Sequence, residues 1–125
     1  MSDNHADLIV LGAGPGGYAC AFRAADLGRD VVMVDPRATL GGVCLNVGCI
    51  PSKALLHAAE VIREASHGDD WGISTGKVSV DLDKLRAKKD GIVEQLTTGL
   101  VGLAKRRKVQ TIRGTAQFTS DKGLD

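Results

Sequence analysis

With 125 residues the chain is sized for a single domain. Hydrophobic residues make up 43% of it and aromatic residues only 3%, so its core must be mainly aliphatic. A formal net charge of +1 gives no argument for a nucleic-acid or membrane-surface partner, and no apolar run approaches the length of a membrane span.

The opening Met1–Asp7 is short and polar, with neither the apolar stretch of a secretory signal nor an Arg-rich presequence. Together with only three cysteines it leads us to expect a reducing, cytoplasmic setting, where a disulfide would be catalytic rather than structural. Asp7–Leu11 reads as a buried parallel strand. It runs into Gly12–Gly17 (GAGPGG), which contains G-x-G-x-x-G at Gly12, Gly14 and Gly17. A helical apolar pattern follows from Tyr18 to Leu27, with Cys20 expected as a small core residue and Gly28 as its end. A second strand, Asp30–Val34, ends at Asp35. This strand–turn–helix–strand context turns a weak glycine pattern into a dinucleotide-binding one. Gly12 permits the turn, Gly14 lets backbone approach a pyrophosphate, and Gly17 lets helix and strand pack closely. The helix start offers free N–H groups to the diphosphate, and Asp35 can accept from a ribose hydroxyl. Its charge also disfavours a 2′-phosphate.

Pro36–Leu40 is a turn into Leu40–Lys53, LGGVCLNVGCIPSK, which holds Cys44 and Cys49 with four residues between them. Two buried thiols are one reading. A metal pair lacks partners at suitable spacing, since His57 and His67 are the nearest histidines, so no metal is expected. A disulfide is the third reading. Residues five apart in an ideal helix have Cα atoms roughly 8.6 Å apart, and a disulfide wants less than about 7 Å. Bonding would need a bent or tightened helix start, for which Gly48 and Pro51 offer a route. A loop this small gains little chain-entropy stabilisation, so such a bond would exist for its chemistry.

A helix is expected over Pro51–Ser66, and Lys53 shares a helix side with Cys49. The plain alternative for Lys53 is a solvated lysine near a helix N-terminus, which the helix dipole slightly disfavours. His67–Val80 reads as an irregular excursion anchored by Trp71 and Ile73. Asp81 or Asp83 caps a long helix over about Asp83–Lys105, whose Gly91, Gly99 and Gly102 suggest close helix approach. The run Lys105–Lys108 reads as a solvated cationic helix end. Val109–Ile112 is a third strand, Gln117–Thr119 starts a further one, and Asp121–Gly123 is a turn.

The stretch GGVCLNVGCIPSK resembles the redox-disulfide motif of the pyridine nucleotide-disulfide oxidoreductases, and ALLHAAE at Ala54–Glu60 is similar to the branch that oxidises dihydrolipoamide. The resemblance covers the chain to about Phe118. It implies an α/β, Rossmann-like FAD-binding domain with a central parallel sheet, incomplete at its C-terminal end. Residues 1–125 would be the N-terminal part of that domain, with the redox motif at 40–53. The NAD and dimerisation domains, the return strand of the last hairpin and the closing strand would lie outside the chain, leaving a sheet edge exposed. The first fingerprint would hold FAD through Gly12, Gly14, Gly17 and Asp35, with Gly42, Lys53 and the backbone at Ala116 adding cofactor contacts. Cys44 would be the outer sulfur that exchanges with substrate and Cys49 the sulfur beside the flavin.

NAD would be the co-substrate of a full-length homodimer serving the lipoyl domains and E2 core of 2-oxo acid dehydrogenase complexes. The acid–base histidine would come from the far C-terminus across the dimer, leaving His57 structural. His5 and His67 have no supporting constellation, and Asn46 is assigned no chemistry beyond turn formation. Tyr18 can contact cofactor or pack. An NADPH-linked disulfide reductase and a nonenzymatic FAD-binding piece stay open as alternatives.

Overall fold

The computed structural model describes residues 5–125, so the first four residues of the polar opening lie outside the described residues. In chain order it has β1 (Leu8–Leu11), α1 (Pro15–Asp26), β2 (Val31–Asp35), α2 (Gly42–Asn46), α3 (Cys49–Ser66), a short 3-10 turn at Gly68–Trp71, α4 (Leu82–Arg106) and β3 (Gln110–Arg113). The strands form one parallel sheet in the order β1-β2-β3. Leu8 lies opposite Val31, and Asp35 opposite Arg113. Parallel neighbours require crossovers. Here α1 makes the first and the α2–α4 excursion the second, giving the expected α/β architecture.

One face of the sheet carries Leu8, Val10, Val31 and Met33 into a core with Ala21 and Phe22 of α1, Leu45 of α2, and Leu100 and Ala104 of α4. The core is aliphatic, as the composition requires. The opposite face, with Ile9, Val32, Val34 and Ile112, borders an open cavity roofed by Gly114–Ala116 and Gly123–Asp125. Among the described residues β1 and β3 remain the sheet's two edges.

Several expectations need correction. Cys20 is exposed, not core. The buried stripe of α1 runs through Ala21 and Phe22 with Tyr18, Ala24 and Ala25 beside it, and Cys20 falls off that stripe. Trp71 and Ile73 do not anchor their loop, being 86% and 60% exposed. Gly91, Gly99 and Gly102 meet nothing that a Cβ would touch, so close approach is not why they are glycine. The last hairpin does turn back within the chain: Phe118 bridges Leu124, and Gln117 and Asp125 exchange backbone hydrogen bonds of 2.7 and 2.9 Å. The end of α4 is not wholly solvated either. Arg107 donates from Nε to Asp26 Oδ1 at 2.9 Å and lies 5.3 Å over the Phe22 ring, tying α4 to the end of α1.

The long helix behaves as expected at its start. Asp81 is its N-cap, accepting from the backbone N–H groups of Asp83 and Lys84 at 3.1 and 3.0 Å. Those bonds, the Lys84 backbone first, hold its carboxyl below the ordinary carboxylate range. At the other end Lys108 takes φ 57 and the Val109 N–H reaches back to the Ala104 carbonyl at 3.0 Å, a left-handed cap that usually uses glycine.

Candidate redox and dinucleotide site

The glycine turn is held first by its backbone. Gly12 has φ +92 and donates its N–H to the Val34 carbonyl at 2.7 Å, binding the turn to β2. A Cβ on Gly17 would fall on the carbonyl oxygen of Gly12, so the third glycine is what lets α1 start this close to β1. Gly14 is the N-cap of α1 and Pro15 its first helical residue, with no side chain capping the end and no acid in the first turn. The N–H groups of Gly16 and Gly17 therefore have no acceptor within the helix, at the positive end of a twelve-residue helix. This end suits a phosphate.

Asp35, at the end of β2, is buried. Its Oδ2 accepts from the Ala13 N–H at 2.7 Å and its Oδ1 from the Arg37 N–H at 2.8 Å. The carboxylate thus fixes the glycine turn as well as offering its remaining lone pairs to a ligand, a double use that spacing alone did not reveal. It borders a cavity of about 170 Å³ lined also by Ala13, Arg37, Leu40, Lys105 and Arg113. Arg37 and Arg113 were not singled out from the sequence. Their guanidinium groups give this cavity cations beside its one buried carboxylate, so its end is less simply acidic than Asp35 suggested.

The redox stretch forms two helices rather than one. α2 ends at Asn46, the chain breaks at Val47 and Gly48, and α3 begins at Cys49, two residues before the expected Pro51. Pro51 sits in the first turn of α3, where its missing N–H costs nothing. The break brings the Cα atoms of Cys44 and Cys49 to 4.7 Å, and the two sulfurs are bonded. A Cβ on Gly48 would press on the Val43 carbonyl oxygen at 3.0 Å and on the Cys44 Cα at 3.2 Å, which is how glycine permits the fold-back. By residue, Cys44 is half-buried and Cys49 exposed.

The turn and the disulfide loop touch directly. The Gly41 N–H donates to the Ala13 carbonyl at 2.8 Å. Gly42, at φ +61, packs so closely that a Cβ there would lie 2.6 Å from the Gly14 Cα and 3.2 Å from the Gly14 nitrogen. Gly12, Gly14, Gly17, Asp35, Gly42, Cys44 and Cys49 are thereby brought into one region. Lys53 is exposed on α3, four residues past Cys49, and makes no ion pair among the described residues. Ala116 does not line the Asp35 cavity; it borders the cavity on the opposite sheet face, two residues past Gly114, whose N–H donates to the Asp35 carbonyl at 3.1 Å. Tyr18 packs against Phe22 with ring centroids 5.9 Å apart. His57 is exposed, and His67 Nδ1 lies 2.8 Å from the Arg63 carbonyl at the end of α3. Asn46 proves to be the most heavily bonded side chain of the motif, a role its sequence position did not disclose. Among the described residues no cluster of His, Cys, Asp and Glu is placed to hold a metal ion, and no helix is long and apolar enough to cross a membrane.

The sequence profile described as pyridine nucleotide-disulphide oxidoreductase matches residues 6–125. The chain belongs to this family. It is 56% identical over 117 residues to a protein named dihydrolipoyl dehydrogenase from Haemophilus influenzae, covering 94% of this chain and 24% of that one. Proteins of the same name from Vibrio cholerae and Bacillus subtilis are 53% and 50% identical, covering 96% and 94% of this chain and 25% of each relative. The chain spans about a quarter of the length of the curated relatives it matches.

Proposed function

We propose that the protein is an FAD-dependent dihydrolipoyl dehydrogenase, to which these 125 residues contribute the N-terminal part of the FAD-binding domain and the redox disulfide. The observation that carries the reading is the seating of the Cys44–Cys49 disulfide loop on a dinucleotide-type glycine turn through Gly41 and Gly42. The names borne by the Haemophilus, Vibrio and Bacillus relatives supply the substrate class.

In this reading the N–H groups at the start of α1 hold the cofactor diphosphate and the Asp35 cavity its adenosine end, with Gly42, Lys53 and Ala116 adding contacts. The uncapped helix end and the room beside Gly14, where a Cβ would meet only the Gly42 Cα at 4.0 Å, fit such a ligand. When bound, FAD would take the electron pair from the reduced cysteines and pass hydride to NAD⁺. The chain's own part is thiol–disulfide exchange. A thiolate of dihydrolipoamide attacks Sγ of Cys44, the Cys44–Cys49 bond breaks, and Cys49 leaves as thiolate. The second substrate thiol then displaces Cys44, so the substrate closes its own disulfide and two electrons and two protons pass to the pair. The base, the NAD site and the dimer contacts belong to the remainder of a subunit of the relatives' size. That subunit would act as a cytoplasmic homodimer on lipoyl domains bound to an E2 core.

The residue exposures order the sulfurs the other way, Cys49 being the more open. The reading therefore requires that bound flavin cover Cys49. Alkylation of the reduced protein, followed by peptide mapping, tests both points. With FAD released and quantified, the flavin-loaded protein should label first at Cys44 and the flavin-free protein at Cys49. A protein that retains no flavin at any stage, or labels Cys49 first when fully loaded, overturns the assignment.

A further inference from the structure

We propose that Asn46 is the positioning residue that keeps Cys44 in register with Cys49 while their disulfide is open. The inference rests on the redox role given to this pair above. α2 has only five residues, far below the length at which a helix holds itself together in water. While the sulfurs are bonded, the covalent link pins α2 to the start of α3. Once they are reduced, that restraint is gone, and α2 depends on its other bonds.

Among the described residues Asn46 supplies every side-chain hydrogen bond that α2 makes. Its Nδ2 donates to the Gly42 carbonyl at 2.8 Å and to the Leu40 carbonyl at 3.1 Å, and its Oδ1 accepts from Thr39 Oγ1 at 2.8 Å. Both donors and the acceptor of one carboxamide are thus used within residues 39–46. The bonds close a ring around Cys44, joining the last residue of α2 to the segment that leads into it. That segment is itself held on the glycine turn by the Gly41 N–H on the Ala13 carbonyl. A chain of contacts runs from the glycine turn through Gly41 and Gly42 to Asn46, with Cys44 inside it. Leu45, next to Cys44, is buried in the core and fixes the opposite side of α2. What the core cannot do is set the rotation and winding of Gly42–Cys44, where there is no apolar side chain but Val43, which is 54% exposed.

Removal of the carboxamide should therefore weaken the dithiol form more than the disulfide form. Destabilising the reduced state makes the pair harder to reduce. The experiment equilibrates the purified full-length protein with reduced and oxidised dithiothreitol. In each turnover the reagent's two thiols give two electrons and two protons, the Cys44–Cys49 bond breaks, and the reagent closes its own ring disulfide. The fraction of free Cys44 and Cys49 is read by thiol trapping and mass.

Asn46→Ala should shift this equilibrium about tenfold toward the protein disulfide, equivalent to about 30 mV more negative. Asn46→Ser can still back-bond to the Gly42 carbonyl four residues earlier, and should fall between wild type and Asn46→Ala. Thr39→Val removes a single bond and should shift the equilibrium by about two- to threefold, the size expected of half a kcal/mol or so. Thermal melts of both redox forms supply the second readout, with the larger loss expected in the reduced protein.

An unchanged exchange equilibrium in a folded Asn46→Ala protein, or equal melting losses in the two forms, overturns the proposal. Should Asn46→Ala fail to fold, Asn46→Ser and Thr39→Val decide it by the same two measurements. Flavin content is measured separately. A protein without flavin that still shows the graded redox shift would sink the functional reading and leave the role of Asn46 standing.

Discussion

Gly42→Ala is the sharpest test of the idea that the glycine turn and the redox loop form one unit. At φ +61 an alanine takes a left-handed conformation costing roughly 1–2 kcal/mol. Its Cβ would lie 2.6 Å from the Gly14 Cα, backbone against backbone, so neither side can yield by a rotamer change. The loop must lift by about an ångström, an overpacking cost of roughly 1–3 kcal/mol. The 2.8 Å bond from Gly41 to Ala13 would go with it, for about 1 kcal/mol more. A loss of about 3–6 kcal/mol is expected, a large share of a small domain's total stability. Gly72→Ala is the control, because Gly72 has φ +73 and open space around it, and so carries the conformational cost alone. The assay is urea unfolding of both variants, with flavin retention measured alongside. Equal destabilisation by Gly42→Ala and Gly72→Ala, or full flavin retention by Gly42→Ala, would refute the reasoning.

Three other outcomes are expected from the same structure. Gly99→Ala in α4 should raise stability by about 0.5–1 kcal/mol, since the position is helical and nothing lies within reach of the new methyl; a loss on urea unfolding would restore the close-approach reading. Lys108→Gly should also stabilise, by roughly 0.5–1 kcal/mol, by relieving φ 57 at the end of α4; a lower melting temperature would count against the left-handed cap. The depressed carboxyl of Asp81 means that its stabilising effect is present above its ordinary value of 3.8 and fades as pH falls below it, through the lower folded value. An acid titration of helicity should show Asp81→Asn, whose amide caps without titrating, losing less than wild type below about pH 4; parallel curves would remove the cap from the account.

The parts of this fold that rest on local pattern were readable in advance. The glycine turn, both strands around it, and α4 within a residue of each end follow from spacing, β-branched runs and an Asp cap. What was not readable depends on contacts between distant segments or on elements too short to have a period. Five residues of α2 cannot display a helical repeat, so a separate helix before Cys49 was not expected. Cys20 shares the apolar look of α1 but sits beside the buried stripe, which only packing defines. Arg107 belongs to a run of cations, and its partner Asp26 lies 81 residues away. Asp35 was legible as an acid at a strand end; that both its oxygens already bind backbone was not. Trp71 shows the reverse error, in which a large apolar residue was taken for an anchor and is 86% exposed.

The disulfide itself does little to hold the fold, because a separation of five residues removes few unfolded conformations. Its geometry must be imposed by its surroundings. Gly48 allows the fold-back from one side, and the seat of Gly41 and Gly42 on the glycine turn fixes the other. Asp35 braces that same turn through Ala13, the residue whose carbonyl receives Gly41. One residue, Ala13, thus carries a bond to the strand-end acid on its N–H and a bond to the redox loop on its carbonyl. The turn is thus joined to the redox loop by one backbone hydrogen bond of 2.8 Å and to the end of β2 by a 2.7 Å bond from the Ala13 N–H to the buried Asp35 carboxylate. By linkage, a redox change that alters the loop alters the grip on a ligand at the turn by the same factor. The glycines are what make so short a route possible, since at Gly17 and Gly42 the chain comes closer to itself than any side chain would permit.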